Sequence, residues 1–244
     1  MTQTDDLIQT ISHRPWTLPS GQWSYYQEWN SALFLHWKVS LDELVKLIPK
    51  GISIDTFNGE CWITLVAFTM EKIRPRRLPS VAAISDFQEI NVRTYLSKDG
   101  KKGVYFLRIE AGKKVSTFVA KLLSGLPYEN ANIDLQNMSN PYKYFASNNN
   151  RNSKFDATFT IGKRIANKTE LDNWLTERYC LYLEKNKILY RYETHHKPWV
   201  LDTVENLNLI STYKIGNILL DKKPDLAHYS NGVKVLAWNR EKLN

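Results

Sequence analysis

Residues 87–96 read FQEINVRTYL, and their alternation decides the fold. Side chains along a β-strand point to opposite faces in turn, so Glu89, Asn91, Arg93 and Tyr95 share one face while Ile90, Val92, Thr94 and Leu96 share the other. A strand with one apolar face and one face carrying an acid, an amide, a guanidinium and a phenol either meets water or lines a polar cavity. Glu89 and Arg93 stand four residues apart, roughly 13 Å between Cα atoms, so each needs a partner from another strand. A charged, unpaired Glu89 inside a barrel costs several kcal/mol, so it must be hydrogen-bonded, paired with a cation or protonated. A cavity role and a structural ion-pair network both meet that requirement.

The segments around this strand repeat its character. Cys61–Met70, Gly103–Glu110, Phe155–Ile161, Tyr179–Glu184, Ile188–Glu193 and Val233–Trp238 are rich in β-branched and aromatic residues and bounded by turn signals, which predicts strands. Lys98-Asp99-Gly100 and Lys185-Asn186-Lys187 read as hairpin connections. Three short helices are expected: one after a Ser40–Glu43 capping box, one over Val115–Ser124 stopped by Gly125, and one opening at Thr169 with Asp172 at the capping-box position. The fold class is therefore α+β, mainly β: an antiparallel barrel or bent sheet with a few short flanking helices. The 244 residues fit a single domain, 1–244, with a flexible or helical start over 1–12 and a mobile loop over 137–153.

Hydrophobic residues make up 43% and charged residues 24%, the balance of a soluble globular chain. Aromatic content is 12%, with 8 Trp and 13 Tyr, which favours strands and amphipathic walls. Trp29, Trp37, Trp62, Trp199 and Trp238 read as core or rim rather than a cofactor cage. The net charge of +8 is dispersed, and its dense run, Lys72, Arg74, Arg76 and Arg77, is broken by Pro75 and Pro79; with no recognition module beside it, nucleic acid is not an expected partner. No apolar run is long enough to span a bilayer and no signal peptide is visible, so no membrane partner is expected. Cys61 and Cys180 read as buried thiols in a reducing cytoplasm.

Metal and cofactor motifs are equally sparse. His195 and His196 are adjacent, point to opposite faces of a strand and do not readily share one metal; either one could enter the cavity. No phosphate loop, nucleophile elbow or paired-cysteine zinc motif occurs, so no cofactor is expected. Glu177-Arg178 reads as a salt bridge or carbonyl clamp, with ligand contact as the alternative. His13-Arg14-Pro15-Trp16 is held extended by its proline, with Trp16 expected over one barrel end and Arg14 placed to attract an anion.

HRPW at 13–16, LFLHW at 33–37, FNGECW at 57–62, FQEINVRTYL, LPY at 126–128, LTERYCLY at 175–182 and HHKPW at 195–199 together resemble the uncharacterised bacterial YqjF-like family. The resemblance runs from about His13 to Trp238. More distantly the chain is similar to the acetoacetate decarboxylase superfamily, whose helix, extended segment and glutamate strand are echoed by Leu41–Asp55 and Phe87-Gln88-Glu89. That similarity implies a decarboxylase-like barrel in which Glu89 matches an active-site glutamate. The family's Schiff-base lysine falls on Tyr128 and its neighbouring lysine on Glu129, while its arginine falls near Asn30. Because tyrosine forms no imine, the cavity is expected without the Schiff-base chemistry.

The combined expectation is a barrel cavity for a small polar or carboxylate-bearing organic molecule. Arg93 would anchor the anion and Glu89 would serve as hydrogen-bond partner or general acid/base, with Asn91, Tyr95, Tyr128, His195 and His196 contacting the ligand. Any catalysis would be lyase- or hydrolase-like acid/base chemistry. The alternative is a structural or protein-interaction module with a filled barrel and an apolar exterior patch that mediates self-association.

Overall fold

The structure, a computed structural model, describes residues 3–112, 125–136 and 140–243. Among the described residues sixteen strands form: β1 (Tyr25–Val39), β2 (Ser53–Ile54), β3 (Cys61–Pro75), β4 (Phe87–Lys98), β5 (Lys101–Ala111), β6 (Glu129–Asn130), β7 (Asn132–Gln136) and β8 (Tyr142–Asn148). The remainder are β9 (Ser153–Arg164), β10 (Cys180–Lys185), β11 (Ile188–His196), β12 (Asp202–Ser211), β13 (Lys214–Ile215), β14 (Ile218–Leu219), β15 (Leu226–Ala237) and β16 (Glu241–Lys242). The helices are short: α1 (Gln3–Gln9), α2 (Leu41–Leu44), α3 (Ala82–Ser85) and α4 (Glu170–Thr176).

All strands but β13 and β14 belong to one 14-stranded sheet. Its central strands run β11, β10, β5, β4, β3, β1, β15, and β15 returns to β11 through Thr194↔Ala237, His195↔Leu236 and His196↔Val235. A ring that closes on itself leaves no free edge and encloses an interior. Strands β12, β9, β8 and β7 continue from β15 as an outer layer. The sheet is mixed rather than wholly antiparallel, because β10 runs parallel to β5 at Leu181↔Val104 and Tyr182↔Tyr105.

Two apolar clusters follow from this geometry. Phe34, Val66, Phe68, Phe87, Ile109, Trp199 and Val235 pack inside the ring, while Leu33, Leu35, Leu65, Ile90, Val92, Tyr144, Phe155 and Phe159 pack between ring and outer layer. Adjacent residues of β1 (Leu33, Phe34, Leu35) alternate between the two, as strand geometry requires. Strand β4 is thus buried on both faces, its polar face inward and its apolar face against the outer layer. A salt-bridged cluster pins the outer layer: Glu110 accepts from Arg108 Nε at 2.9 Å, from Asn148 Nδ2 at 2.6 Å and from the Tyr213 hydroxyl, while Arg108 also donates to Ser153 Oγ.

Both expected hairpins form as two-residue turns. Lys98↔Lys101 flank Asp99 and Gly100 (φ +53° and +73°), and Lys185↔Ile188 flank Asn186 and Lys187 (φ +54° and +62°), the positive-φ pair that matches strand twist. The Thr169–Asp172 capping box forms in full, whereas Ser40 makes no capping bond. There Glu43 is drawn away to Lys46 Nζ at 2.7 Å and Asn217 Nδ2 at 3.0 Å. The expected Val115–Ser124 helix lies outside the described residues. Within 137–153, read as a loop, Tyr142–Asn148 instead forms β8, with Tyr144 and Ala146 buried, followed by a 3-10 turn at Asn149–Arg151.

Close packing of β5 on β10 depends on Gly103. A Cβ there would lie 2.6 Å from Cys180 Sγ and 2.7 Å from the Cys180 carbonyl oxygen, and the backbone oxygen cannot swing aside. Gly103→Ala is expected to lower stability by about 1–3 kcal/mol, read as a lower urea midpoint; an unchanged midpoint would show that the two strands separate at little cost.

Candidate functional site

The ring encloses a cavity of about 120 Å³. Its polar wall is β4, which presents Glu89, Asn91 and Arg93; Tyr128 and Arg178 join them, and Trp29, Phe34, Phe68, Phe106 and Trp199 supply the apolar wall. Four residues expected in the site, Glu89, Asn91, Arg93 and Tyr128, are therefore brought together on one cavity. Among the described residues no lysine lines it.

At one end Glu89 is 2% exposed. The Tyr128 hydroxyl donates to its Oε2 at 2.8 Å and the Asn91 amide to its Oε1 at 2.9 Å. Burial pushes the Glu89 pKa up to about 7 against the pull of these two donors, so both protonation states are accessible near neutrality. Burial and the neighbouring carboxyl likewise raise the Tyr128 phenol well above its ordinary range, which keeps it a hydrogen-bond donor.

At the other end lies Arg93, 8% exposed. Its Nη2 donates to the Leu175 carbonyl at 3.4 Å, and its Nε has no partner. Among the described residues no carboxylate pairs with it. Burial lowers its pKa, and neighbouring Arg178 lowers it further, yet a guanidinium stays charged at neutral pH. Arg178 clamps the adjoining carbonyl, Trp174 O, at 2.7 Å through Nε and salt-bridges Asp55 at 2.6 Å through Nη1, while its Nη2 is buried without a partner. The salt bridge and carbonyl clamp expected at Glu177-Arg178 exist, and Arg178 lines the cavity as well.

Tyr95, His195 and His196 lie off the cavity lining, a correction to their expected place. Tyr95 sits on the inward side of β4 but beneath α4: its ring packs 4.5 Å from that of Trp174, and its hydroxyl donates to the Leu175 carbonyl at 3.0 Å. The same hydroxyl meets Thr64 Oγ1, which continues to His36 Nδ1 at 2.8 Å, His228 at 3.1 Å and Asp172 at 2.9 Å. His195 pairs instead with the Leu7 carbonyl at 2.8 Å, and burial holds its pKa down at about 4. His196 is buried behind Trp29 and Trp199, its ring centroid 6.1 and 5.6 Å from theirs. Among the described residues no group of three His, Cys, Asp or Glu side chains could hold a metal ion.

Arg14 does not face a cavity mouth. Its guanidinium is buried against Glu193 at 3.0 Å and the Thr194 carbonyl at 2.6 Å, and Trp16 donates to the same Glu193 at 2.8 Å, so the HRPW segment ties down the ring closure rather than plugging the barrel. Asn30, near which the decarboxylase resemblance puts an arginine, donates to Glu71 and is not in the lining. Cys180 lines the cavity, but burial raises its thiol to about 12, which leaves it a weak nucleophile. Trp29, Trp199 and Trp238 are wall residues, whereas Trp37 and Trp62 belong to apolar clusters outside the cavity.

A family model described as an uncharacterized conserved protein matches residues 26–234. The uncharacterized protein YqjF of Bacillus subtilis (strain 168) is 33% identical over 226 residues, covering 91% of this chain and 93% of that protein. Among solved structures, the acetoacetate decarboxylase of Legionella pneumophila superposes with a TM-score of 0.65 at 12% identity, over 100% of this chain and 96% of that one. The enduracididine biosynthesis enzyme MppR complexed with pyruvate superposes with a TM-score of 0.63 at 10% identity, over 93% of each chain. At such identities the likeness concerns the fold. No helix among the described residues is long and apolar enough to cross a membrane.

Proposed function

The chain belongs to the uncharacterized conserved, YqjF-like family, and we propose that it binds a small organic carboxylate in the barrel cavity without Schiff-base chemistry. The observation that carries this reading is Arg93: a buried guanidinium that lines the cavity and has no carboxylate beside it among the described residues. A buried charge without a counter-charge is costly, and an anionic ligand in the cavity supplies one. Glu89, held by Tyr128 and Asn91 and titrating near neutrality, is the group suited to proton transfer at the far end. Tyr128 stands where the superfamily lysine would, which supports acid/base rather than imine chemistry. MppR, a fold neighbour, was captured with pyruvate, itself a carboxylate.

A filled barrel acting as an interaction module would lack such a cavity, so the open interior favours the ligand reading. The reading further places the protein in a reducing cytoplasm, supported by two buried free thiols, Cys61 and Cys180, as a single domain without nucleic-acid or membrane partners.

The test is thermal stabilisation by pyruvate, acetoacetate and phenylacetate. Ligand at a hundredfold excess over Kd adds about 2.7 kcal/mol, a shift of several degrees. Arg93→Met should abolish the shift; no stabilisation of the wild type by any of the three acids, or an equal shift in the variant, would overturn the assignment. Borohydride added with acetoacetate should leave Tyr128 unmodified.

A further inference from the structure

The cavity wall carries two ionisable groups of opposite sign that do not meet. Glu89 and Arg93 both line the cavity from β4, four residues and roughly 13 Å apart. Arg93 leans away from Glu89, because its Nη2 shares the Leu175 carbonyl with the hydroxyl of Tyr95, two residues further along the strand. Among the described residues no salt bridge holds either group. The donors to Glu89 are a phenol and an amide, and the second guanidinium of the wall, Arg178, is already paired with Asp55.

The ground between them is apolar. Directly beside Glu89 on the inward face stand Phe68 of β3 and Ala111 of β5, and beside Asn91 stand Val66 and Ile109. All four belong to the apolar cluster inside the ring, so neither adjoining strand offers Glu89 a cation there. Without one, its carboxyl holds a proton more readily, and burial raises its pKa to about 7.

A buried carboxylate and a buried guanidinium separated by hydrocarbon each call for a counter-charge. One molecule supplies both if it carries an anion at one end and a cation at the other. Subtracting about 4 Å between charged centres at each contact leaves roughly 5 Å between the ligand's own charges, and the lean of Arg93 adds to that, so an extended chain of about five carbons fits. The polarity is set as well, since an ammonium beside Arg93 and Arg178 is repelled. An α-amino acid, whose two charges share one carbon, does not reach both ends.

We propose that the cavity selects an unbranched ω-amino carboxylate, its carboxylate against Arg93, its ammonium against Glu89 and its methylenes along Val66 and Phe68. The ammonium takes the place of the Glu89 proton, which leaves to solvent. This deepens the carboxylate reading above and rests on it.

Titration calorimetry with 5-aminopentanoate, pentanoate and 2-aminopentanoate separates the two readings. At about pH 8, above the Glu89 pKa of about 7, 5-aminopentanoate should bind about tenfold tighter than pentanoate, and 2-aminopentanoate weaker than either. At about pH 7, in buffers of different ionisation enthalpy, 5-aminopentanoate should release a fraction of a proton per site and pentanoate none. Glu89→Gln should remove that release and bring 5-aminopentanoate down to the affinity of pentanoate. Wild-type binding of 5-aminopentanoate no tighter than that of pentanoate, tightest binding of 2-aminopentanoate, or a proton release that pentanoate matches would overturn the proposal while leaving the carboxylate site standing. A preference for 5-aminopentanoate that survives Glu89→Gln would overturn Glu89's part in it. Failure of all three acids to bind would overturn both readings, and the wild-type series decides even where the variant fails to fold.

Discussion

Glu89→Gln is expected to gain about 3 kcal/mol of stability relative to wild type as pH rises from about 4.5 to about 7, and to keep that gain above it. The buried carboxyl has its pKa raised from 4.5 to about 7, so in that interval the folded state holds a proton that the unfolded chain releases. Its contribution is present below the unfolded value and is lost as pH rises through the folded one. Glutamine keeps the shape, still accepts from Asn91 and never ionises, so the loss disappears. The buried histidines work in the opposite sense. His36, His196 and His228 have pKa values depressed by burial, and His195 is lowered to about 4; their contribution is present above the unfolded value and is lost as pH falls. Comparing variant with wild type cancels that common background. Urea unfolding at several pH values reads the difference, and a gap that does not widen with pH would show that Glu89 is not the group titrating near neutrality.

Arg108→Met should cost about 3–5 kcal/mol. Glu110 is 0% exposed and draws its counter-charge from Arg108, with Tyr213 and Asn148 as its other donors. Removing the cation leaves a buried carboxylate with hydrogen bonds but no opposite charge, and it frees Ser153 Oγ from its donor. The second change Glu110→Gln, made in the same chain, should recover most of the loss, because the uncompensated charge goes with it. A single variant within about 1 kcal/mol of wild type would mean that the cluster behaves like a surface pair, and the buried position of Glu110 would then need another explanation.

Local periodicity made β4 legible, and with it the cavity wall: Glu89, Asn91 and Arg93 point inward because alternation leaves them no other side. Alternation assigns a face, however, and not a depth. Tyr95 follows the same parity yet ends beneath Trp174 and Leu175, because α4 arrives from 80 residues further on and covers it. Arg178 shows the same limit from the other direction. Its salt-bridge partner Asp55 is 123 residues away, so no local pattern reveals which of its nitrogens is occupied and which is left without a partner. Two capping boxes of similar spelling met different fates, since Asp172 meets His228 through Oδ1 and keeps Oδ2 for the Thr169 amide, while Glu43 is taken up by Lys46 and Asn217 through its two oxygens. Strand β8 was hidden by composition: the asparagines around it read as loop, although Tyr142, Tyr144 and Ala146 already carried the alternation.

The ring closure has a consequence in time as well as in space. Tyr25 of β1 pairs with Ala237 of β15, and β15 alone joins β1 to β11. During synthesis the first of these strands leaves the ribosome more than two hundred residues before its neighbour exists. Until then β1 and β11 present unpaired edges, the state most prone to joining another chain. A nascent polypeptide stopped short of β15 would have every residue of the β4 wall and no enclosed space for them to face, so the cavity comes into being only once β15 has emerged.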